Sequence, residues 1–236
     1  MQSSSVHLHP QVSLDATLRR YISLPKLINL LSSRRFHFAR ADSFTDPLEG
    51  ALFPALRALI TKAASEHEAE SADSYYRKVR VNNFVLCWTC SEHENMALWS
   101  HAAGGNETVS VVTTVERFCR AAAEWNQDVH IYKVNYIDYD SPPDYAIFNY
   151  SDLLQFKHRA YTFESELRFI VPHATTDPSL ERAGILMPEV DLLQLLERVE
   201  VHPLSSPLFE AAVRSVCATL LPSLSVVRSA LATHPV

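Results

Sequence analysis

Glycine is scarce in this chain. Only four occur in 236 residues, at positions 50, 104, 105 and 184. None completes a GxGxxG, or a GxxxxGK followed by Ser or Thr, so the glycine-rich phosphate cradles are absent and the usual dehydrogenase and nucleoside-triphosphatase readings fall away. Basic charge is also in deficit: the net charge is −6, which argues against a general grip on nucleic acid or an anionic membrane surface. No apolar run is long enough for a membrane span. The start MQSSSVHLHPQ lacks the basic opening and apolar stretch of a signal peptide, so a cytoplasmic protein is expected. The four cysteines, at 87, 90, 119 and 217, show no disulfide framework spacing, which fits a reducing compartment. Cys87-Trp-Thr-Cys90 has the spacing of a redox or zinc motif. It closes the apolar run NFVLCW instead of opening a helix, and His93 alone does not complete a zinc set. Structural cysteines and no metal are therefore expected.

What remains is 47% hydrophobic and 20% charged, the composition of an ordinary globular protein with a sizeable core. Alternation and helical spacing predict strands at 18–23, 35–39, 83–90, 108–113, 129–137, 166–171, 185–188, 199–202 and 225–229. Helices are predicted at 24–33, across 52–80 with a break in SEHEAESADS, and at 94–103, 115–125, 151–158, 191–197 and 207–221. The segments 41–50 and 139–150 read as loops. Strands and helices alternate irregularly, which predicts an α+β fold: a single domain over 18–236, with a mixed or predominantly antiparallel sheet flanked by helices and an N-terminal extension at 1–17.

Three segments hold residues able to do chemistry. In Phe44–Glu49, Asp46 and Glu49 flank a rigid proline and could hydrogen-bond a ribose or another polyol; equally, Asp46 could cap a helix starting at Pro47, with Glu49 favoured by the helix dipole. In Cys87–His101, Trp99 and His101 lie two apart and point in different directions on a helix. One can face the core while the other faces a cleft, although core packing and a helix C-terminus explain both without function. In Lys157–Arg168, Glu164 and Glu166 sit at the mouth of a strand and point to one side, with Arg168 next in line and Tyr161, Phe163 and Phe169 on the opposite, core parity. Two adjacent carboxylates should repel, raising one pKa. A solvated face with an exposed ion pair gives the same pattern.

The order LRRYISLPKLINLL, FxFARADSFTDPLEG, LCWTCSEHENMALWSH and KHRAYTFESELRF resembles a bacterial family known as domain of unknown function 2971, over about residues 18 to 172. Thr45, Ala102 and the stretch 106–109 depart from its pattern. A first strand bearing Arg, then a helix and second strand, and a late Glu-x-Glu together look like the ADP-ribosyltransferase superfamily, which uses NAD without a Rossmann glycine loop. That resemblance implies an NAD-dependent transferase or glycohydrolase, of toxin, effector or antiphage type. Glu166 would stabilise an oxocarbenium-like ribose and Glu164 would orient or deprotonate a macromolecular acceptor. Arg20 would hold a phosphate, and Tyr21, Phe44 or Trp99 would stack on a ring. Asp46, Glu49, His101, Lys157 and Arg168 complete the implied NAD site. Two alternatives stand: a non-catalytic module binding a nucleotide-like ligand, and a metal-dependent phosphodiesterase or nuclease using His101, Glu49 and Glu164. Acidic charge and the lack of HxH or HD spacing at His101 weigh against the last.

Overall fold

A computed structural model of the chain describes residues 5–67, 70–101, 105–141, 147, 149–173 and 184–232. The chain opens with strands β1 (Val6–Leu8) and β2 (Thr17–Ser23), helix α1 (Leu24–Ser33) and strand β3 (His37–Arg40). Pro25 sits in the first turn of α1, where its missing N–H costs nothing, and the helix ends at a left-handed Arg34 whose N–H bonds Leu30. Helices α2 (Pro54–His67) and α3 (Ala72–Val81) follow, the second capped by Ser71. Next come β4 (Asn83–Cys90), α4 (Met96–His101), β5 (Thr108–Thr114), α5 (Val115–Ala122), β6 (Val129–Lys133) and β7 (Asn135–Ile137). The remaining elements are β8 (Phe156–His158), β9 (Glu166–Pro172), β10 (Ile185–Leu186), α6 (Leu192–Leu195), β11 (Arg198–Val201), α7 (Pro207–Leu220) and β12 (Ser225–Arg228).

Among the described residues, ten strands form one sheet in the order β1-β6-β9-β4-β2-β5-β11-β12, with β3 pairing β4 and β10 pairing β3. Only β1–β6 and β11–β12 run parallel, so the sheet is mixed and mostly antiparallel, within a single α+β domain. One face carries Leu18, Trp88, Leu167 and Phe169 in the larger core, to which α1, α5 (through Phe118) and α7 contribute. The Phe118 and Phe169 rings lie 4.0 Å apart by their centroids, and burying each such side chain contributes roughly 2–3 kcal/mol. The other face packs Val85 and Ile170 against Leu52, Phe53, Val79, Leu154 and Phe156 in a second core. Glu166 and Arg168 share the parity of Ile170 on β9, so the pleat aims them at this second face.

The sheet is split beside β4. Strand β9 pairs β4 from Asn83 to Thr89 along one edge. On the opposite edge β2 pairs only at Leu18↔Cys90 and Arg19↔Thr89, and β3 only at Ala39↔Val85 and Arg40↔Phe84. Among the described residues no strand pairs the β4 edge between Leu86 and Trp88, and that gap gives access to the second face.

Several local expectations change. The strand predicted at 129–137 breaks at Val134, whose N–H bonds Glu166 O at 2.9 Å, and β7 leaves the main sheet to pair β8 in a separate two-stranded ribbon. The helix predicted at 151–158 is a 3₁₀ turn over Tyr150–Gln155 followed by β8. Aromatic contacts to the second core override its helical spacing there. Residues 46–49 form a turn and no helix begins at Pro47. Val6–Leu8, assigned to an extension, instead adds an edge strand beside β6. The predicted end of α4 at Ala102 to Gly104, and Pro142-Pro143, lie outside the described residues.

Candidate functional site

A chain of alternating charge crosses the second face. Arg168 is 1% exposed in the middle of β9. Its Nε and Nη2 donate to the two oxygens of Glu166 at 3.1 and 3.0 Å. Its Nη1 and Nη2 donate to Glu49, the latter at 3.1 Å, and Nη1 also donates to the carbonyl of Leu154 at 2.5 Å. All five guanidinium N–H groups are therefore used. Glu166 in turn accepts from Lys157 Nζ at 3.2 Å, and Lys157 pairs with Glu164. The order is Glu49, Arg168, Glu166, Lys157, Glu164, from the buried interior outward.

The electrostatics follow from burial and neighbours. Burial pushes the Glu166 carboxyl up, but Arg168 and Lys157 more than reverse this and hold it down at about 2. Lys157 is destabilised as a cation by burial, yet Glu166 and Glu164 raise it above the ordinary lysine range. Glu49 is raised by burial, against the pull of Arg168. Repulsion between Glu164 and Glu166 was expected to raise one carboxyl; Lys157 between them and Arg168 on the far side of Glu166 make Glu166 a firmly ionised group instead.

Local backbone chemistry brings these groups together. Glu164 ends a 3₁₀ turn, Ser165 is left-handed at φ 44° and ψ 49°, and β9 begins only at Glu166. The two carboxylates converge on Lys157 through that kink and not through strand parity. The N–H of Glu166 donates to Tyr136 Oη at 2.8 Å, and the β7–β8 ribbon pairs Tyr136 with Lys157. The turn carrying Glu49 is fixed by the Tyr76 and Tyr139 hydroxyls, which donate to the carbonyls of Pro47 and Leu48 at 3.1 and 2.9 Å. Gly50, at φ 67°, lets the chain pass under α3, where a Cβ would lie 2.8 Å from Val79 Cγ1.

At the split in the sheet, a cleft of about 270 Å³ is lined by residues that include Arg20, Tyr21, Cys87, Lys157, Glu164 and Glu166. Arg20 is partly buried and has no hydrogen-bond or ion-pair partner among the described residues. Burial lowers it to about 10, still a cation at neutral pH. Tyr21 also lines the cleft but is 7% exposed, its ring packed with Leu98 and edge-on against Trp99 at 4.9 Å, and its hydroxyl accepts from Asn95 N–H at 3.1 Å. The lining thus brings together an unengaged guanidinium and two carboxylates. The net charge of −6 describes the whole chain and not this cleft, so it does not exclude a nucleic-acid partner here.

The other residues singled out from sequence sit elsewhere. Glu49 and Arg168 lie behind Glu166 and do not line the cleft. Trp99 is fully buried, donating its indole N–H to Glu94 at 2.9 Å and packing against Tyr21 and His202; Leu98 faces the cleft in its place. His101 is exposed at the end of α4. Phe44 packs against the second core, and Asp46 Oδ1 accepts from Leu48 N–H at 2.9 Å within its own turn. Phe163 is 39% exposed, against its expected core position, and the Tyr161 ring covers Lys157 at 4.8 Å.

Sequence reading missed Arg19, Cys87 and Tyr136. Arg19 is buried against Glu200 at 3.3 Å and donates to the carbonyl of Ser91 at 2.6 Å, which ties β2 to the approach to α4. Cys87 was set aside as structural; its thiol sits beside Glu166, and burial raises it strongly. The available signal was parity, since Cys87 lies opposite Leu86 and Trp88 on β4. No such signal marks Tyr136.

No protein-family model matches the chain, and no curated protein matches it. The resemblance to domain of unknown function 2971 therefore stands on its motifs alone. Solved structures of Thermus sp. 2.9 DarT are similar at a distance. The complex with NAD+ has 9% identity and a TM-score of 0.45, covering 92% of this chain and 97% of that one. The complex with ADP-ribosylated ssDNA has 10% identity and a TM-score of 0.44, covering 93% and 96%. With likeness this low, the chemistry of the cleft rests on its own residues.

Proposed function

We propose that the cleft binds NAD and that the protein is an NAD-dependent ADP-ribosyltransferase or NAD glycohydrolase-like enzyme. The observation that carries this reading is the pairing, in one cleft, of a firmly ionised Glu166 with an unengaged Arg20. A guanidinium without a partner suits a pyrophosphate, which it meets bidentately. Tyr21, packed against Leu98 and Trp99, adds apolar surface beside that pair.

Breaking the bond between ribose C1′ and the nicotinamide nitrogen sends the electron pair to nicotinamide, which leaves neutral, and builds positive charge on the ribose. Glu166 accepts a hydrogen bond from the ribose 2′-hydroxyl and stabilises that charge electrostatically. Its low pKa keeps it anionic across the physiological range. Glu164 orients the acceptor and takes its proton as the acceptor bonds to C1′. With water as acceptor the same steps hydrolyse NAD. A toxin, effector or antiphage role follows the same resemblance, with a macromolecular acceptor.

Nicotinamide release from NAD by wild type and Glu166→Gln tests this, with cell lysate supplying acceptors. The variant should lose about 100-fold or more in kcat while still binding NAD. Absence of both release and calorimetric NAD binding by wild type would sink the proposal.

One observation favours a second reading. Both oxygens of Glu166 are already engaged by Arg168 and Lys157, which suits a non-catalytic module for a nucleotide-like ligand. NAD binding by wild type without nicotinamide release would select it. The metal-dependent alternative has no geometric support: His101 is exposed and Glu49 buried beside Arg168. No group of three metal-ligating side chains occurs among the described residues.

A further inference from the structure

Glu49 is 119 positions from Arg168 in sequence, is 3% exposed and does not line the cleft. Burying a Glu–Arg–Glu triad is costly, and a well-packed apolar trio of similar volume is often as stable or more so. Fold stability alone is therefore a weak reason to have the triad here. Its geometry points to another. Glu166 takes the Nε/Nη2 side of the guanidinium and Glu49 the Nη1/Nη2 end. Without Glu49, Nη1 would keep only the Leu154 carbonyl and Nη2 only Glu166, so this end of the guanidinium would lose two of its four hydrogen bonds.

Charge leads the same way. Glu49, Arg168, Glu166, Lys157 and Glu164 alternate in sign and sum to one negative charge. With Glu49 neutral the sum is zero, and Glu166 is flanked by two cations that no interior anion offsets. An anion so neutralised holds a cationic ribose less strongly.

We infer that Glu49 is a positioning residue: it fixes Arg168 and keeps the charge chain net negative, and so sets how strongly Glu166 stabilises the cationic transition state. This rests on the function proposed for Glu166. The test compares wild type, Glu49→Gln and Glu49→Asp by NAD turnover and by carbon NMR titration of the Glu166 carboxyl. Glu49→Gln should lower kcat by about tenfold or more with KM changed less than about twofold, as for an interaction felt only in the transition state. Its Glu166 midpoint should move to lower pH, a change that simple loss of packing would not produce. Glu49→Asp, which keeps the charge, should stay closer to wild type in both.

Wild-type kcat in Glu49→Gln overturns the inference, as does a rise in KM at unchanged kcat, which would make Glu49 a ligand contact. Equal damage from Asp and Gln overturns the charge argument. Should Glu49→Gln fail to fold, Glu49→Asp decides: kcat within about threefold of wild type supports the inference, and a loss of about tenfold or more overturns it. If wild type does not turn over NAD, the proposed function fails separately. The Glu166 titration then decides alone, and an unmoved midpoint rejects the coupling.

Discussion

Arg20 and Arg168 carry the same guanidinium to opposite ends. Arg168 spends all five N–H groups on Glu49, Glu166 and Leu154, so it has nothing left to offer a ligand. Arg20 has no such partner among the described residues and lines the cleft. Adjacent strand residues face opposite ways, which is why Arg19 turns to Glu200 while its neighbour stays available. Replacing Arg20 by Met should weaken binding of an anionic dinucleotide by about tenfold or more, since a charge-assisted contact is worth about 1.5–3 kcal/mol. Folding should be little affected. Calorimetric titration of NAD into Arg20→Met checks this, and unchanged affinity would remove Arg20 from the site.

At the scale of elements, two devices build the site: the split beside β4 and the kink that opens β9. Neither is visible as periodicity. The Glu164–Glu166 spacing suggested one strand face, and the carboxylates do converge, but through a left-handed Ser165 joining a 3₁₀ turn to a strand. A non-glycine residue in that region costs about 1 kcal/mol. Ser165→Gly should therefore raise stability by about 0.5 kcal/mol, after its added unfolded-state entropy, while loosening the spacing of the two carboxylates. A chemical denaturation midpoint at or below wild type would show that Ser165 is not strained. The break at Val134 belongs to the same level: the ribbon β7–β8 must leave the sheet to bring Tyr136 and Lys157 to Glu166, and an apolar alternating run carries no sign of that departure.

For the molecule as a whole, the buried charges make stability depend on pH. Glu166 is lowered from 4.5 to about 2 on folding, worth about 3 kcal/mol at neutral pH. A depressed carboxyl stabilises above its unfolded pKa, so this contribution shrinks as pH falls below 4.5 and is gone below about 2. Glu49 is raised on folding, so its protonation acts the other way and partly offsets the loss. Urea unfolding should show wild type losing stability between pH 5 and 2, and Glu166→Gln, less stable at pH 7, losing less over that range. Equal slopes would mean that Glu166 is not held ionised by its neighbours.

By itself the sequence determined the α+β class, most of the strands and the clustering of charge in the segment Lys157–Arg168, because alternation, capping and charge spacing are local properties. It also marked Arg20, Glu164 and Glu166, which share the cleft. Only the tertiary structure decided that Trp99 and Phe44 are packing residues, that His101 lies outside, and that Glu49 stands behind Arg168 and not in the cleft. The physical reason is reach: which guanidinium meets which carboxylate depends on contacts such as Glu49 with Arg168, 119 positions apart. It also depends on where β2 and β3 diverge from β4, and neither is set by neighbours along the chain.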